Sequence, residues 1–392
     1  MINPEDIASS LPSEECILIG RVWRDDPVPG PCVILIHKET AYDITPSFPT
    51  VSTFFEKPEL WDWEKLKNNH ENLGNINLII ENSQVHKKET SSTHLLAPCD
   101  LQAIKACGVT FAVSLIERVI EEKAGGDPKV AESIRQELAN EIGKNISNIV
   151  PGSEDAEKLK RNLLKRNMWS QYMEVGLGPD AEVFTKAQVL SSVGHLDQIG
   201  IHPMSSWNNP EPEIVLAVNS KAKILGVTLG NDVNLRDVEG RSALLLGRAK
   251  DNNASCAIGP FIRVFDQSYD LKNVKQAVVS LTIDGPDSYH LEGRSHMSKI
   301  SRDPEDMVKQ VINSHHQYPD GLMLFLGTMF TPIDDRDEPG QGFTHKVGDV
   351  VKISSPEIGM LINSVDYTNK VPAWEFGVFD LMKNLSSRRL IS

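Results

Sequence analysis

The spacing of apolar and polar residues changes rhythm twice along this chain. Over the first 95 residues the apolar positions gather into short β-rich runs, Cys16–Trp23 and Cys32–His37. The Pro/Gly cluster Asp26–Pro31 separates them, as a turn between strands requires. Asn77–Glu81 reads as a further short strand, and the polar stretch His86–His94 reads as a linker. Between 101 and 168 the period lengthens to that of a helix. Val109–Glu122 is apolar with charges near its end. A second helix follows Asp127-Pro128, with the acid as N-cap and proline at the first helical position. Its Val130, Ile134, Leu138 and Ile142 recur every four residues and form one stripe. A third follows Gly152-Ser153, with Glu154 and Asp155 where the helix dipole favours acids. From about residue 170 the β rhythm returns in Glu213–Val218, Lys223–Leu229, Ala277–Ile283 and Val350–Ser354. One helix interrupts it, capped by Asp303, opened by Pro304 and running to about Ser314.

This pattern predicts an α+β chain that is mostly β. A small β-rich N-terminal domain covers residues 1–95. A large domain covers 96–392, fronted by a helical lid at about 101–168. The length of 392 residues suits two or three domains at roughly 150 residues each.

Charge narrows the partners. Forty Lys and Arg against 54 Asp and Glu leave a net −14. Such a chain is a poor match for nucleic acid or an anionic membrane, and an anionic substrate would need a local cation such as a bound metal. The opening Met1–Ser10 lacks the basic and apolar regions of a signal peptide. No apolar run approaches the ~20 residues that span a bilayer. The five cysteines (Cys16, Cys32, Cys99, Cys107 and Cys256) are scattered and form no CxxC pair. Reduced thiols in a cytoplasmic protein are expected. Gly226, Gly230, Gly240 and Gly247 make no GxGxxG motif, and no GxSxG occurs.

The acids around residue 211 suggest chemistry. Glu211 and Glu213 stand two apart on a predicted strand, so both point to one face. Two adjacent anions repel unless a cation sits between them. The next strand, Ile224–Asp232, ends in another acid. A hairpin through Asn219–Lys223 returns Asp232 to the same neighbourhood. Three converging carboxylates suit a hard cation, Mg²⁺ first, then Mn²⁺ or Ca²⁺. A solvated edge strand has the same spacing, so spacing alone leaves both readings open.

An ordered set of motifs goes further: Glu211-Pro-Glu213, Gly230–Asp237, Lys250–Pro260, Gly327-Thr328 and Gly348–Asn363. Over residues 95–366 this set resembles the fumarylacetoacetate hydrolase superfamily. Gly108–Phe111, Asn208–Glu213, Asn231–Gly240 and Leu326–Phe330 resemble its dehydratases of 2-keto-3-deoxy-pentonates, of the D-xylonate or D-arabinonate series. The resemblance implies a fumarylacetoacetase-like mixed β-sandwich roll and a magnesium-dependent hydro-lyase. Its product would be 2,5-dioxopentanoate, in non-phosphorylative pentose catabolism. An acylpyruvate hydrolase or oxaloacetate decarboxylase on the same metal site is the alternative.

By the same resemblance Glu211, Glu213 and Asp232 are the metal ligands. Larger family members add an aspartate where this chain has Thr110-Phe111, so water and substrate are expected to complete the shell. Glu117 stands where the hydrolases carry a histidine, which points away from C–C hydrolysis and toward a carboxylate acid/base. Whether it acts as acid or base stays open. Lys186 and Lys250 match pocket lysines and are expected to steady an enolate. Thr328 offers a hydroxyl to a substrate carboxylate. Ser114, Glu117 and Arg118 share one helical face by their spacing. The family's lid position turns that face toward substrate, with Ser114 and Arg118 as contacts. His315 and His316 read as structural or interfacial and His345 as a loop residue, and for Glu174 the structural and functional readings stay level. The expected partner is a small-molecule sugar acid, and the expected assembly a homodimer or dimer of dimers.

Overall fold

The structure is a computed structural model and describes residues 4–88, 93–141, 149–165, 169–330, 332–339 and 341–391. The N-terminal runs form β1 (Leu18–Arg24), β2 (Gly30–His37), β3 (Thr40–Asp43), β4 (Glu71–Asn75) and β5 (Thr93–Leu96). Strand β6 (Ala103–Gly108) leads into the helical segment and β7 (Glu182–Ala187) leads out. There follow β8 (Gln198–Ile201), β9 (Asn208–Asn209), β10 (Pro212–Val218), β11 (Ile224–Asp232), β12 (Asn234–Leu235) and β13 (Cys256–Val264). The last are β14 (Val278–Asp284), β15 (His290–His296), β16 (Leu322–Phe325), β17 (Val350–Ser355) and β18 (Gly359–Tyr367).

Two open sheets carry the α+β fold. The larger runs β4-β3-β2-β1-β13-β11-β10-β16-β6-β7, with β5 also on β1. The smaller runs β15-β14-β17-β18-β8, and β9 and β12 form a separate ribbon. Period-two alternation on β10 divides its side chains between two cores. Ile214, Leu216 and Val218 pack against Val279, Leu281 and Ile353 of the smaller sheet. Val215 and Ala217 face the opposite way, with Phe48, Phe54 and Phe55. The N-terminal strands β1–β5 and the later strands share the larger sheet, because β1 pairs antiparallel with β13.

The helical segment matches its caps. Ala112–Ala124 ends at Gly125, which takes the left-handed conformation at φ 62°. Pro128–Glu141 follows Asp127, whose carboxylate accepts from Lys129 N at 2.9 Å. Val130 faces solvent, and Ala131 is the buried contact instead. Ile142 and the side chain of Leu138 lie outside those described. Glu154–Lys165 forms the third helix.

Some expectations change. Asn77–Glu81, read as a strand, lies in the helix Ile76–Asn82. Asn75 caps it by accepting from Asn77 N at 2.7 Å, and Ile76, Ile79 and Ile80 turn inward at helical spacing. The supposed linker is partly ordered structure: Val85–Lys88 is helical and β5 begins at Thr93. Residues 89–92 lie outside those described. A short helix, Gln171–Leu177, precedes β7. The helix capped by Asp303 spans Pro304–Val311 and ends where Ile312 turns extended. No helix among the described residues is long and apolar enough to cross a membrane.

Candidate active site

The acidic hairpin forms as its spacing predicts. Strands β10 and β11 pair with Glu213 opposite Gly230 and Pro212 opposite Asn231. Beyond the last pair, Asp232 N donates to Glu211 O at 3.0 Å. Glu211, Glu213 and Asp232 therefore share one face. One ligand atom from each carboxylate lies within 4.8 Å of the others, and all three residues are buried. Thr110 is not among them; its hydroxyl donates to Leu326 O at 2.6 Å.

Cations brace this cluster. Lys250 Nζ donates to Glu211 Oε2 at 2.6 Å and to Asp232 Oδ2 at 3.1 Å. Lys186 Nζ lies 2.8 Å from Asp232 Oδ1 and also donates to Val233 O at 3.1 Å. Arg118 Nη2 donates to Glu211 Oε1, while its Nη1 reaches Glu121 at 2.7 Å and Glu239 at 3.1 Å. Glu213 Oε2 accepts from Gly327 N at 2.8 Å.

The environment sorts these carboxylates. Burial disfavours the charge on Glu211, but Lys250 and Arg118 outweigh it and hold the carboxyl at about 2. Burial, then the charges of Asp232 and Glu211, push Glu213 well above the usual range. Burial also disfavours the Lys250 ammonium, yet Asp232, Glu211 and Glu239 raise it above its ordinary value. Around the cluster seven carboxylates (Glu117, Glu121, Glu182, Glu211, Glu213, Asp232 and Glu239) stand against four cations (Arg118, Lys186, Arg236 and Lys250). With every carboxyl ionised the acids would exceed the cations by three, and this excess together with the all-oxygen donor set fits a divalent, oxygen-preferring metal ion.

The pocket beside the cluster is lined by Arg118, Glu182, Lys250 and Thr328, together with the three carboxylates, Cys107 and Phe184. Thr328 Oγ1 donates to Phe330 O at 3.1 Å. Three of the expected residues do not line it. Ser114 Oγ donates to Phe111 O at 2.8 Å in the first turn of its helix. Lys186 sits behind Asp232, fully buried. Glu117 faces Arg236, whose Nη2 donates to its Oε2 at 3.1 Å. Arg236 in turn bonds Glu121 Oε1 at 2.6 Å and stacks 4.2 Å from the Trp207 ring. Ser114, Glu117 and Arg118 do lie on one buried helix face, but Arg118 alone reaches the pocket.

Glu182 was not anticipated. It opens β7 directly opposite Gly108 of β6, and that glycine leaves room for its carboxylate. A methyl group on Gly108 would stand 1.9 Å from Glu182 Oε2. Burial, then the charge of Glu239, raise the Glu182 carboxyl to about 7. An acid poised near neutrality on the pocket wall can take or give a proton. A single glutamate at a strand start carries no periodic signal, which is why sequence spacing did not mark it. Of the histidines, His315 and His316 are exposed, and His345 is buried against Asp349 at 2.9 Å.

Comparison with known proteins gives relatives in sequence and in fold. The chain is 32% identical over 190 residues to 2-dehydro-3-deoxy-D-arabinonate dehydratase of Saccharolobus solfataricus, covering 48% of this chain and 60% of that one. It is 30% identical over 199 residues to the probable 2-keto-3-deoxyxylonate dehydratase of Haloferax volcanii, covering 51% and 65%. The matched region thus spans less than two thirds of either relative. In fold, the chain superposes on a solved structure described as 2-keto-3-deoxy-D-arabinonate dehydratase complexed with magnesium and 2,5-dioxopentanoate. The TM-score is 0.62 at 20% identity, covering 89% of this chain and 99% of that one. Residues 165–366 match the fumarylacetoacetate (FAA) hydrolase C-terminal family, and they include Glu182, Lys186, the acidic hairpin, Lys250 and Thr328. The chain belongs to the fumarylacetoacetate hydrolase family.

Proposed function

We propose that this chain is a magnesium-dependent dehydratase of a 2-keto-3-deoxy-pentonate, releasing water and 2,5-dioxopentanoate. The observation that carries the reading is one pocket holding both a buried Glu211–Glu213–Asp232 cluster and a near-neutral Glu182. The two dehydratase relatives supply the substrate class. Glu211, Glu213 and Asp232 would hold the ion. When bound there, magnesium supplies Lewis acidity that makes protons beside a keto group easier to remove.

The remaining work falls to side chains. Elimination needs a proton taken from C3 and a proton given to the departing C4 hydroxyl. Glu182 is the proton carrier in this proposal, replacing Glu117, because Glu182 lines the pocket whereas Glu117 is turned to Arg236. Lys250 places a fixed positive charge at the pocket wall, where negative charge develops on the substrate's oxygens. Thr328 and Arg118 are its polar neighbours for the substrate carboxylate and hydroxyls. Lys186 and Ser114 act through others, Lys186 by fixing Asp232 and Ser114 by closing the first turn of the lid helix.

The test is a panel of 2-keto-3-deoxy-pentonates, acylpyruvates and oxaloacetate, incubated with the protein and Mg²⁺ and followed by mass spectrometry. Loss of one water from a pentonate, abolished by EDTA and restored by Mg²⁺, is the expected result. Cleavage of an acylpyruvate or loss of carbon dioxide from oxaloacetate, with the pentonates untouched, overturns the reading.

A further inference from the structure

A second cavity lies away from the metal pocket, and no residue lines both. Its volume is about 390 Å³, within the range of small-molecule sites. One wall is strand β1, where Arg21 and Trp23 stand two apart and so share a face. The opposite wall is the stretch Val371–Phe376 near the chain's end. Trp23 meets Phe376 edge-on at 5.6 Å between ring centroids. Trp374, 46% exposed, stands over the opening with its indole N–H donated to Phe376 O at 2.9 Å.

Arg21 sets the chemistry of this cleft. Its side chain is only 7% exposed, yet it lines the cavity. A guanidinium has five N–H donors. Nη1 donates to Ala97 O at 3.2 Å and to Cys99 O. Among the described residues no acceptor takes a hydrogen from Nη2 or Nε. Asp100 lies 3.8 Å from Nε, but its oxygens accept from Val51 N at 2.6 Å, Ser52 N at 3.0 Å and Leu101 N at 2.7 Å. The other ions at the cleft, Lys88 and Asp197, pair with each other. A buried guanidinium that is ion-paired to Asp100 through Nε, keeps its Nη2 donors unused and stands among aromatic rings is complementary to a flat anion.

We propose that this cleft binds a planar aromatic monocarboxylate, with its carboxylate on Arg21 and its ring against Trp23, Trp374 and Phe376. The site is independent of the dehydratase reading. Its aromatic wall is anchored locally to the body of the chain. Asn253 lines the cleft and donates to Thr368 O and Pro372 O, each at 3.1 Å, which ties the aromatic wall to the turn after Lys250. Two residues on, Ser255 Oγ donates to Lys250 O at 2.8 Å.

The experiment is a calorimetric titration of the full chain with 2-naphthoate and with 2-naphthamide, its neutral counterpart. The acid is expected to saturate one site, and the amide to bind at least about tenfold more weakly, since charged hydrogen bonds are lost. Trp374→Ala is expected to weaken naphthoate about fivefold or more without moving the melting temperature, because the ring is half exposed. Glu213→Gln, a change in the other pocket, is expected to leave naphthoate affinity unchanged. Equal binding of acid and amide, unchanged affinity in Trp374→Ala, loss of binding in Glu213→Gln, or no saturable binding of naphthoate would each overturn the proposal.

Discussion

Glu117 Oε2 accepts a hydrogen bond from Arg236 Nη2 at 3.1 Å, and neither residue lines the pocket. The pair belongs to a layer of ions behind the pocket wall, shared with Glu121. Two glutamates of similar appearance in sequence thus hold different positions: Glu117 is neutralised by a guanidinium, and Glu182 faces the cavity.

Glu182→Gln is therefore expected to lower kcat by about 10²–10⁴, the usual worth of a general acid or base, with Mg²⁺ affinity near the parent's. Glu117→Gln is expected to keep kcat within about threefold and to lose about 1–3 kcal/mol of stability, as Arg236 loses one charged hydrogen-bond partner but keeps Glu121. Steady-state kinetics beside thermal unfolding separates the two. A collapse of kcat in Glu117→Gln with normal turnover in Glu182→Gln would return the proton to the lid helix.

Glu213→Gln should behave unusually for a buried substitution. In the metal-free protein its carboxyl is held high by burial, Asp232 and Glu211, so a neutral amide relieves repulsion. The apo melting temperature is expected to stay level or rise, while the rise that Mg²⁺ gives the parent disappears. Calorimetry with Mg²⁺ should show at least about a hundredfold weaker binding. Undiminished Mg²⁺ stabilisation in this variant would remove Glu213 from the ligand set.

Gly108→Ala tests the cradle instead of the acid. The added methyl would fall 1.9 Å from Glu182 Oε2, and the end of that side chain must move. Stability should change by less than about 1 kcal/mol, because a flexible carboxylate yields more easily than backbone. Turnover is expected to fall about tenfold or more through misplacement, with Mg²⁺ affinity retained. Parent-like turnover would show that Glu182 need not stand where Gly108 lets it.

His195 predicts a pH dependence of stability unconnected with catalysis. The ring is fully buried, its Nδ1 accepting from Ile362 N at 3.1 Å and its Nε2 standing 2.9 Å from Ser10 Oγ. Nε2 must therefore carry the hydrogen. Burial, then the charge of Lys88, depress its pKa from 6.5 to about 3. A histidine kept neutral by folding contributes its stability above 6.5, and this is lost as the pH falls from 6.5 toward 3. The slope is at most about 1.4 kcal/mol per pH unit. Urea midpoints between pH 7 and 4 should fall less steeply in His195→Gln, and equal slopes would contradict the assignment.

How far these features were readable depended on how local their causes were. The acidic hairpin was legible because the spacing of Glu211 and Glu213, the turn at Asn219–Lys223 and the final Asp232 all lie within one supersecondary unit. The helix at Ile76–Asn82 was misread because a short apolar run suits either period, and the Asn75 cap decided it. The contrast between Glu117 and Glu182 was not legible, for a different reason. Helical spacing put Glu117 on the same face as Arg118, but only the arrival of Arg236, on the short helix that follows the acidic hairpin, decides where its charge goes. Glu182 owes its place to β6, whose partner could not be named before the sheet order was known.

That pairing of β6 with β7 has a further consequence. The chain leaves the larger sheet after Gly108 and rejoins it at Glu182, and these two residues are direct partners. Everything between them is a detour with both ends fixed at one rung of the ladder. The entropy of closing such a detour grows only as the logarithm of its length, about 0.6 kcal/mol for each doubling. The length of the excursion therefore adds little to the cost of closing the rung, whereas the helix Ala112–Ala124 within it is held to the site through Arg118. The family match begins at residue 165, inside the excursion, and takes in the rung residue Glu182 on which it closes.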